Sequence, residues 1–419
     1  ILRKNIFMDK QESFVAAMDS TGRFSVRVPL VNTSEIYIDI GRKGINTVVE
    51  PGETYFLLHD FSTGHVLFMG EDVRLQNELQ THPPLYVDGY LRKGQGTVDE
   101  FRIQMEEKYR HAVEELSRRV EEHPNLSRRY RYYMESFALT GLGRSMMQAR
   151  FVVPDWQLPE DYVDFVRTKV WQRPSKPYTL CQNFGILMRD YIGHFSEAKD
   201  KARGNAVFNA FKRLRQQGEI SMTEEEANTV EAYQLAVREL QEKLNAEPSD
   251  SLRQRMVVEL GKSELSQRFM SLVTRFEDVL NEEILIDNID FWKEDAESVG
   301  CDSILCQIHL ARKLYGLIEN MRKPLPDRMM AKAEWGIRLE GGWDIVSREQ
   351  EKYVSIQNRD LSDVSSLRSA EDVKDVTGGE ALLRKLTEPY RGKLVLLDIW
   401  GTWCGPCKEA DRKSTRLNS

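Results

Sequence analysis

Residues 393–410 read KLVLLDIWGTWCGPCKEA, and the run from Trp403 to Cys407 inside them decides how the chain is understood. Leu394 to Trp400 is an apolar run of strand length. Two thiols follow it at Cys404 and Cys407, with Gly405 and Pro406 between them. Proline is tolerated in the first turn of a helix, where its missing N–H would have no intrahelical partner. The pattern therefore predicts a strand, a turn, and a helix beginning near Gly405. Cys404 would sit at the N-terminus of that helix, where unpaired N–H groups and the helix dipole favour an anion. Its thiol is expected below the free value of about 8.5, and only the thiolate attacks a disulfide. Cys404 is accordingly the expected attacking thiol, and Cys407, one helical turn on, the resolving one. Gly405 and Pro406 shape the site and influence redox poise, because they alter thiolate stability.

Asp398 stands six residues before Cys404 on the expected strand. A carboxylate buried there has a raised pKa and could take a proton from Cys407 as a mixed disulfide resolves. The plainer reading is a partly solvated acid with no role. Trp403 is expected to wall the dithiol, and Trp400 to be core. The other common use of Cys-x-x-Cys is structural zinc, which wants four ligands. Cys301 and Cys306 could supply a second pair, but Ile304, Leu305 and Ile308 place that segment on an amphipathic helix, where positions five apart diverge. Cys181, Cys301 and Cys306 are read instead as small buried hydrophobes, and no metal is expected.

The chain has 419 residues, 41% hydrophobic and 30% charged, with a formal net charge of −7. That is a globular balance of two to four domains. Its acidity does not suggest nucleic-acid binding. No apolar run approaches the roughly 20 residues that span a bilayer. Five cysteines are too few for a disulfide-stapled scaffold at this length. Residues 411–419, DRKSTRLNS, match the translation of a common short-read sequencing adapter. They are read as an artefact and set aside from fold reasoning. With Ile1 rather than Met at the start, a piece is expected to be missing from each end.

Upstream, residues 1–82 read as a β-sandwich-like domain. Phe24, Val26 and Val28 alternate with polar residues, as do Ile36, Ile38 and Ile40, the period of a half-buried strand. Thr47 to Val49, Tyr55 to Leu58 and Val66 to Phe68 are further short strands around the Glu50-Pro51-Gly52-Glu53 turn. Residues 83–325 read as helical. Phe101, Met105, Tyr109, Ala112, Leu116 and Val120 share one stripe, and Ile304, Ile308, Ala311, Leu314 and Ile318 another. Thr223 and Glu226 have capping-box spacing. Residues 326–377 read as a connector with one or two strands, and Gly379 to Tyr390 as a helix. The expected whole is a multidomain α+β chain.

The stretch from Lys393 to Ala410 resembles the thioredoxin superfamily, and more narrowly the TlpA/ResA-like thiol-disulfide reductases. The Gly22-Arg23-Phe24 segment, the Glu50–Glu53 turn, and Phe68-Met69-Gly70 leading to Leu75–Leu79 are similar to the β-domain that precedes thioredoxin domains in Bacteroidetes envelope proteins. The resemblance implies a C-terminal thioredoxin-like α/β domain of which 378–410 is the first part. It implies Cys404 as nucleophile, Cys407 as resolving thiol and Asp398 as the buried acid, with no cofactor beyond the cysteine pair. Cys-Gly-Pro-Cys leans by this resemblance toward a reductant. It further implies a periplasmic or envelope location, a possible lipid anchor, disulfide-containing client proteins and a membrane thiol electron donor. The family's cis-proline has no counterpart before Ala410, so the chain as it stands is expected to be inactive. A peroxiredoxin-like peroxide reductase and an envelope binding module with secondary redox chemistry are the alternatives.

Other residues carry blander readings. His59 and His65 flank a turn and read as solvated loop histidines. Arg128, Arg129 and Arg131 interleave with Tyr130, Tyr132 and Tyr133, a pattern seen in nucleic-acid faces. On a helix these arginines spread around the surface, so a solvated face is expected.

Overall fold

The structure is a computed structural model that describes residues 1–41, 44–173, 178–203, 206–359 and 371–395. The chain divides into two compact units, Ile1–Gln357 and Asn358–Ser419.

The first unit opens with strands β1 (Leu2–Asn5), β2 (Lys10–Ser13), β3 (Ser34–Asp39) and β4 (Gly44–Val49). They form one antiparallel sheet in the order β2-β1-β3-β4. Strands β5 (Phe56–His59) and β6 (Val66–Met69) form a second, two-stranded sheet, pairing Phe56 with Met69 and His59 with Val66. Ile36, Ile38, Ile45 and Val49 from the first sheet share a core with Phe68 from the second. The region therefore holds two small antiparallel sheets, within a mixed α+β chain. Two features differ from expectation. The β1–β2 hairpin carries no apolar alternation, because Leu2 is the one strongly apolar residue of β1 and β2 has none. Residues 24–28 pair with nothing as a ladder. Val26 and Val28 are still half-buried on alternate positions, but the Asp19–Arg23 turn leads into an extended segment rather than a sheet strand.

Helices follow: α1 (Arg74–Thr81), α2 (Val98–Glu122), α3 (Arg128–Gln148), α4 (Glu160–Val166) and, after a π-helical turn over Arg167–Trp171, α5 (Gln182–Arg203). Then come α6 (Ala206–Gln217), α7 (Glu224–Ala246), α8 (Asp250–Lys262), α9 (Glu264–Arg275), α10 (Glu277–Ser298) and α11 (Ser303–Met321). In α2 the expected stripe is the buried one: Phe101, Met105, Ala112 and Leu116 face inward. Burying a side chain the size of Phe, Met or Leu contributes about 1.5–3 kcal/mol. Thr97 caps α2, and Thr223 caps α7 in a reciprocal capping box with Glu226. Helix α3 packs against both α2 and α5 and buries Tyr130, Tyr133, Met134 and Met146 almost completely. The Tyr130 hydroxyl donates to the His82 carbonyl at 3.1 Å, and that of Tyr162 to the Met146 carbonyl at 3.1 Å, so these buried hydroxyls are satisfied.

Residues 326–357, expected as the first part of a connector, are two helices, α12 (Asp327–Gly336) and α13 (Glu340–Gln357). The glycines at Gly341 and Gly342 misled the sequence reading because glycine usually breaks helices. Here they let α13 approach its neighbours closely. A Cβ on Gly341 would collide with the Val31 side chain, and one on Gly342 would press on Ile337 and Phe7. The main core accordingly takes side chains from strands and helices alike, including Ile6, Phe7 and Val48 alongside Leu310, Leu314 and Val346. A smaller core of Phe208, Phe211, Phe269 and Leu272 holds α6, α7, α9 and α10 together.

In the second unit the described elements are a 3-10 turn (Glu371–Val373), helix α14 (Gly379–Thr387) and a 3-10 turn (Glu388–Tyr390). The helix expected over Gly379–Tyr390 is present. Of the strand expected from Leu394, only Leu394 and Val395 are described. Neither is in a ladder, and Leu394 is fully exposed.

Candidate functional site

Asp398, Trp400, Trp403, Cys404, Gly405, Pro406 and Cys407 lie outside the described residues. The described residues include three other thiols, Cys181, Cys301 and Cys306, and an apolar cleft.

Cys301 and Cys306 do not share a helix. Asp302 is the N-cap of α11, and its carboxylate accepts the Leu305 N–H at 2.9 Å. Cys301 therefore precedes the helix, while Cys306 is its fourth residue. The divergence expected from helical spacing does not apply, because residues at those two positions fold toward each other across the first turn. The Cys306 sulfur lies 3.7 Å from the Cys301 carbonyl oxygen. The Cys301 thiol hydrogen-bonds the Cys306 thiol and lowers its pKa, against a burial that pushes it up. The legible signal was Gly300 followed by Asp302, a turn residue and a capping residue.

Cys181 is different. Burial pushes its thiol well above the ordinary value, and the nearby Glu35 carboxyl adds to this. It is an inert core thiol, as the sequence reading had it. Glu35 itself was missed. It lies on β3, is almost wholly buried, and burial raises its pKa to about 7. Its carboxylate accepts the Gln182 N–H at 2.8 Å. The Gln182 side-chain amide donates to the Glu35 carbonyl at 3.2 Å, and the Thr179 hydroxyl to the Thr33 carbonyl at 2.7 Å. Residues 179–182 thus dock along the start of β3.

Beside this junction is a cleft of about 530 Å³, lined by Phe7, Leu75, Tyr132, Tyr178, Ile304 and Ile308 among others. Arg129 is at its wall. Its guanidinium pairs with Glu50 and with Asp72, the latter at 2.6 Å. The Arg128–Tyr133 segment is therefore the start of α3, with Tyr130 and Tyr133 in the core and Arg129 tied to the β-region. It does not present a row of arginines and aromatics to solvent.

Among the described residues, no cluster of three or more His, Cys, Asp or Glu could hold a metal ion, and no helix is long and apolar enough to cross a membrane. No family model matches the chain, and neither a curated protein nor a solved structure matches it.

Proposed function

We propose that the chain comes from a thiol-disulfide oxidoreductase of the TlpA/ResA-like type, a disulfide reductase acting on exported client proteins. The observation that carries the reading is the sequence Trp403-Cys404-Gly405-Pro406-Cys407 directly after an apolar run. Helix α14 supports it by standing in the expected order of helix, apolar run and dithiol. The exposed Leu394 and Val395 are the apolar side chains that a thioredoxin-like sheet would cover. In this reading Cys404 attacks the client disulfide and expels one client thiolate. Cys407 then attacks the mixed disulfide at Cys404 and expels the second. The client gains two electrons and two protons, the pair becomes a disulfide, and a membrane thiol donor restores it. Asp398 holds or passes the proton of Cys407, and Trp403 walls the site.

The test is disulfide reduction by the purified full-length product of the gene. With dithiothreitol as electron source, that product should reduce insulin disulfides, and Cys404→Ser should abolish turnover. Equal turnover by the variant ends the reading. The alternative of a binding module draws on the 530 Å³ cleft between the β-region and helices α3 and α11. It predicts client capture by the chain that survives Cys404→Ser and is lost when the cleft is filled by Ile308→Trp.

A further inference from the structure

The corner between α10 and α11 brings two cysteines together outside the Cys404–Cys407 motif, with the Cys306 sulfur 3.7 Å from the Cys301 carbonyl oxygen. Gly300 takes a positive φ of 78°, which glycine adopts without the cost of a Cβ. The Gly300 N–H donates to the Glu297 carbonyl at 3.0 Å and the Cys301 N–H to the Ala296 carbonyl at 3.1 Å. Asp302 then caps α11. The backbone on both sides of Cys301 is thus fixed, and it faces Cys306 across the first turn. Two aliphatic residues would satisfy the packing of these positions equally well; sulfur at both adds a covalent option. The thiols differ in access, since Cys301 is half-buried and Cys306 buried. Trp171 reaches the same corner, its indole N–H donating to the Val299 carbonyl at 2.8 Å.

We propose that Cys301 and Cys306 are a second redox-active dithiol, which closes to an intrachain disulfide across the start of α11 by exchange with a small-molecule or protein disulfide. The more accessible Cys301 attacks as thiolate, bonds to one sulfur of the incoming disulfide and expels the other as thiolate, which takes up the proton Cys301 released. Cys306 then attacks the Cys301 sulfur, and the second thiolate leaves with the proton of Cys306. The two cysteines lose two electrons and two protons, and the incoming disulfide becomes two thiols. In the reduced pair the hydrogen bond from Cys301 lowers the Cys306 pKa against burial, with Lys293 lowering it and Glu297 and Asp302 raising it; that bond is gone once Cys301 carries the mixed disulfide, and Lys293 remains. The ring spans only Cys301 to Cys306, so it restricts the unfolded chain little. It is suited to reversible exchange rather than to stapling the fold.

This inference does not depend on the activity assigned to Cys404 and Cys407, and its test removes them. The full chain carrying Cys404→Ser and Cys407→Ser is equilibrated with excess oxidised glutathione, quenched with an alkylating agent and mapped by peptide mass. The expected product is a peptide holding both cysteines, two hydrogen atoms lighter and unalkylated, which dithiothreitol restores. With Cys306→Ser added, glutathione should instead stay trapped on Cys301. Alkylation of both thiols after oxidation overturns the proposal. So does a Cys301–glutathione adduct that persists while Cys306 is present.

Discussion

The backbone N–H of Gln182 donates to the carboxylate of Glu35 at 2.8 Å, joining residues 147 apart in sequence. This bond favours the ionised acid, but burial outweighs it and the Glu35 pKa stands at about 7 against an ordinary 4.5. A group with a raised folded-state pKa holds its proton in the native state after the unfolded chain has lost it. Its contribution to stability is complete below about pH 4.5 and is lost as pH rises to about 7, on the order of 3 kcal/mol for a shift of this size. Glu35→Gln keeps an oxygen for the Gln182 N–H and removes the ionisation. The variant should therefore lose this slope and gain stability over the parent above pH 7. Urea midpoints across this range read it out, and parallel curves for variant and parent would show that Glu35 does not titrate this way.

Asp9 holds three cations. It pairs with Lys4 at 3.1 Å, with Arg189 at 3.0 Å and with Arg312, fastening the β1–β2 turn to α5 and α11. Burial works against the charged carboxylate, yet the three cations outweigh it and leave its pKa lowered. Asp9 has a φ of 53°, a conformation asparagine tolerates, so Asp9→Asn separates charge from backbone geometry. Removing one member of a buried ion pair costs about 3–5 kcal/mol, because it leaves the partner uncompensated. Asp9→Asn should lower stability by that order, and adding Arg312→Met should recover part of it. A double variant no more stable than the single one would locate the cost elsewhere than in the stranded arginine.

Gly141 lies in α3 where a Cβ would stand 2.5 Å from the Val87 carbonyl oxygen. Alanine in a helix ordinarily gains about 1 kcal/mol over glycine. At Gly141 the close approach reverses the sign, and overpacking of this kind costs about 1–3 kcal/mol. Gly261, in α8, has nothing near its absent Cβ, so Gly261→Ala should keep the ordinary gain. Denaturant midpoints of the two variants should move in opposite directions, and a stabilised Gly141→Ala would refute the close approach.

What the sequence disclosed followed from locality. The Trp403–Cys407 motif can be read at all because it sits in five contiguous residues, which lie outside the described ones. The α2 stripe and the Thr223–Glu226 box are legible because period and cap lie within one element. Helix α3 hides its role because it is buried on nearly all sides between α2 and α5, so no apolar stripe stands out. Glu35 was invisible because the segment that buries it arrives from residues 179–182. The Cys301–Cys306 contact was misread by one boundary: with the helix starting at Ser303 rather than before Cys301, diverging positions become converging ones.

His309 opposes Glu35 in the pH response of the main core. It lies inside α11, and burial, reinforced by Lys313 and Arg312, lowers its pKa from 6.5 to about 3. Its Nε2 has no hydrogen-bond partner among the described residues, which suits a ring kept neutral. A histidine with a depressed folded-state pKa is protonated first in the unfolded chain, so its contribution is complete above about pH 6.5 and is lost as pH falls toward 3. Between about pH 4.5 and 6.5 the two buried groups therefore pull in opposite senses, Glu35 favouring the acid side and His309 the neutral side. His309→Phe keeps a ring of similar size and removes the proton site. Its stability relative to the parent should rise steadily as pH is lowered from 6.5 to 4, while the Glu35→Gln variant moves the other way below pH 7. Acid-limb midpoints of both variants against the parent decide this, and an His309→Phe difference that stays flat with pH would mean the imidazole is charged or solvated in the native protein.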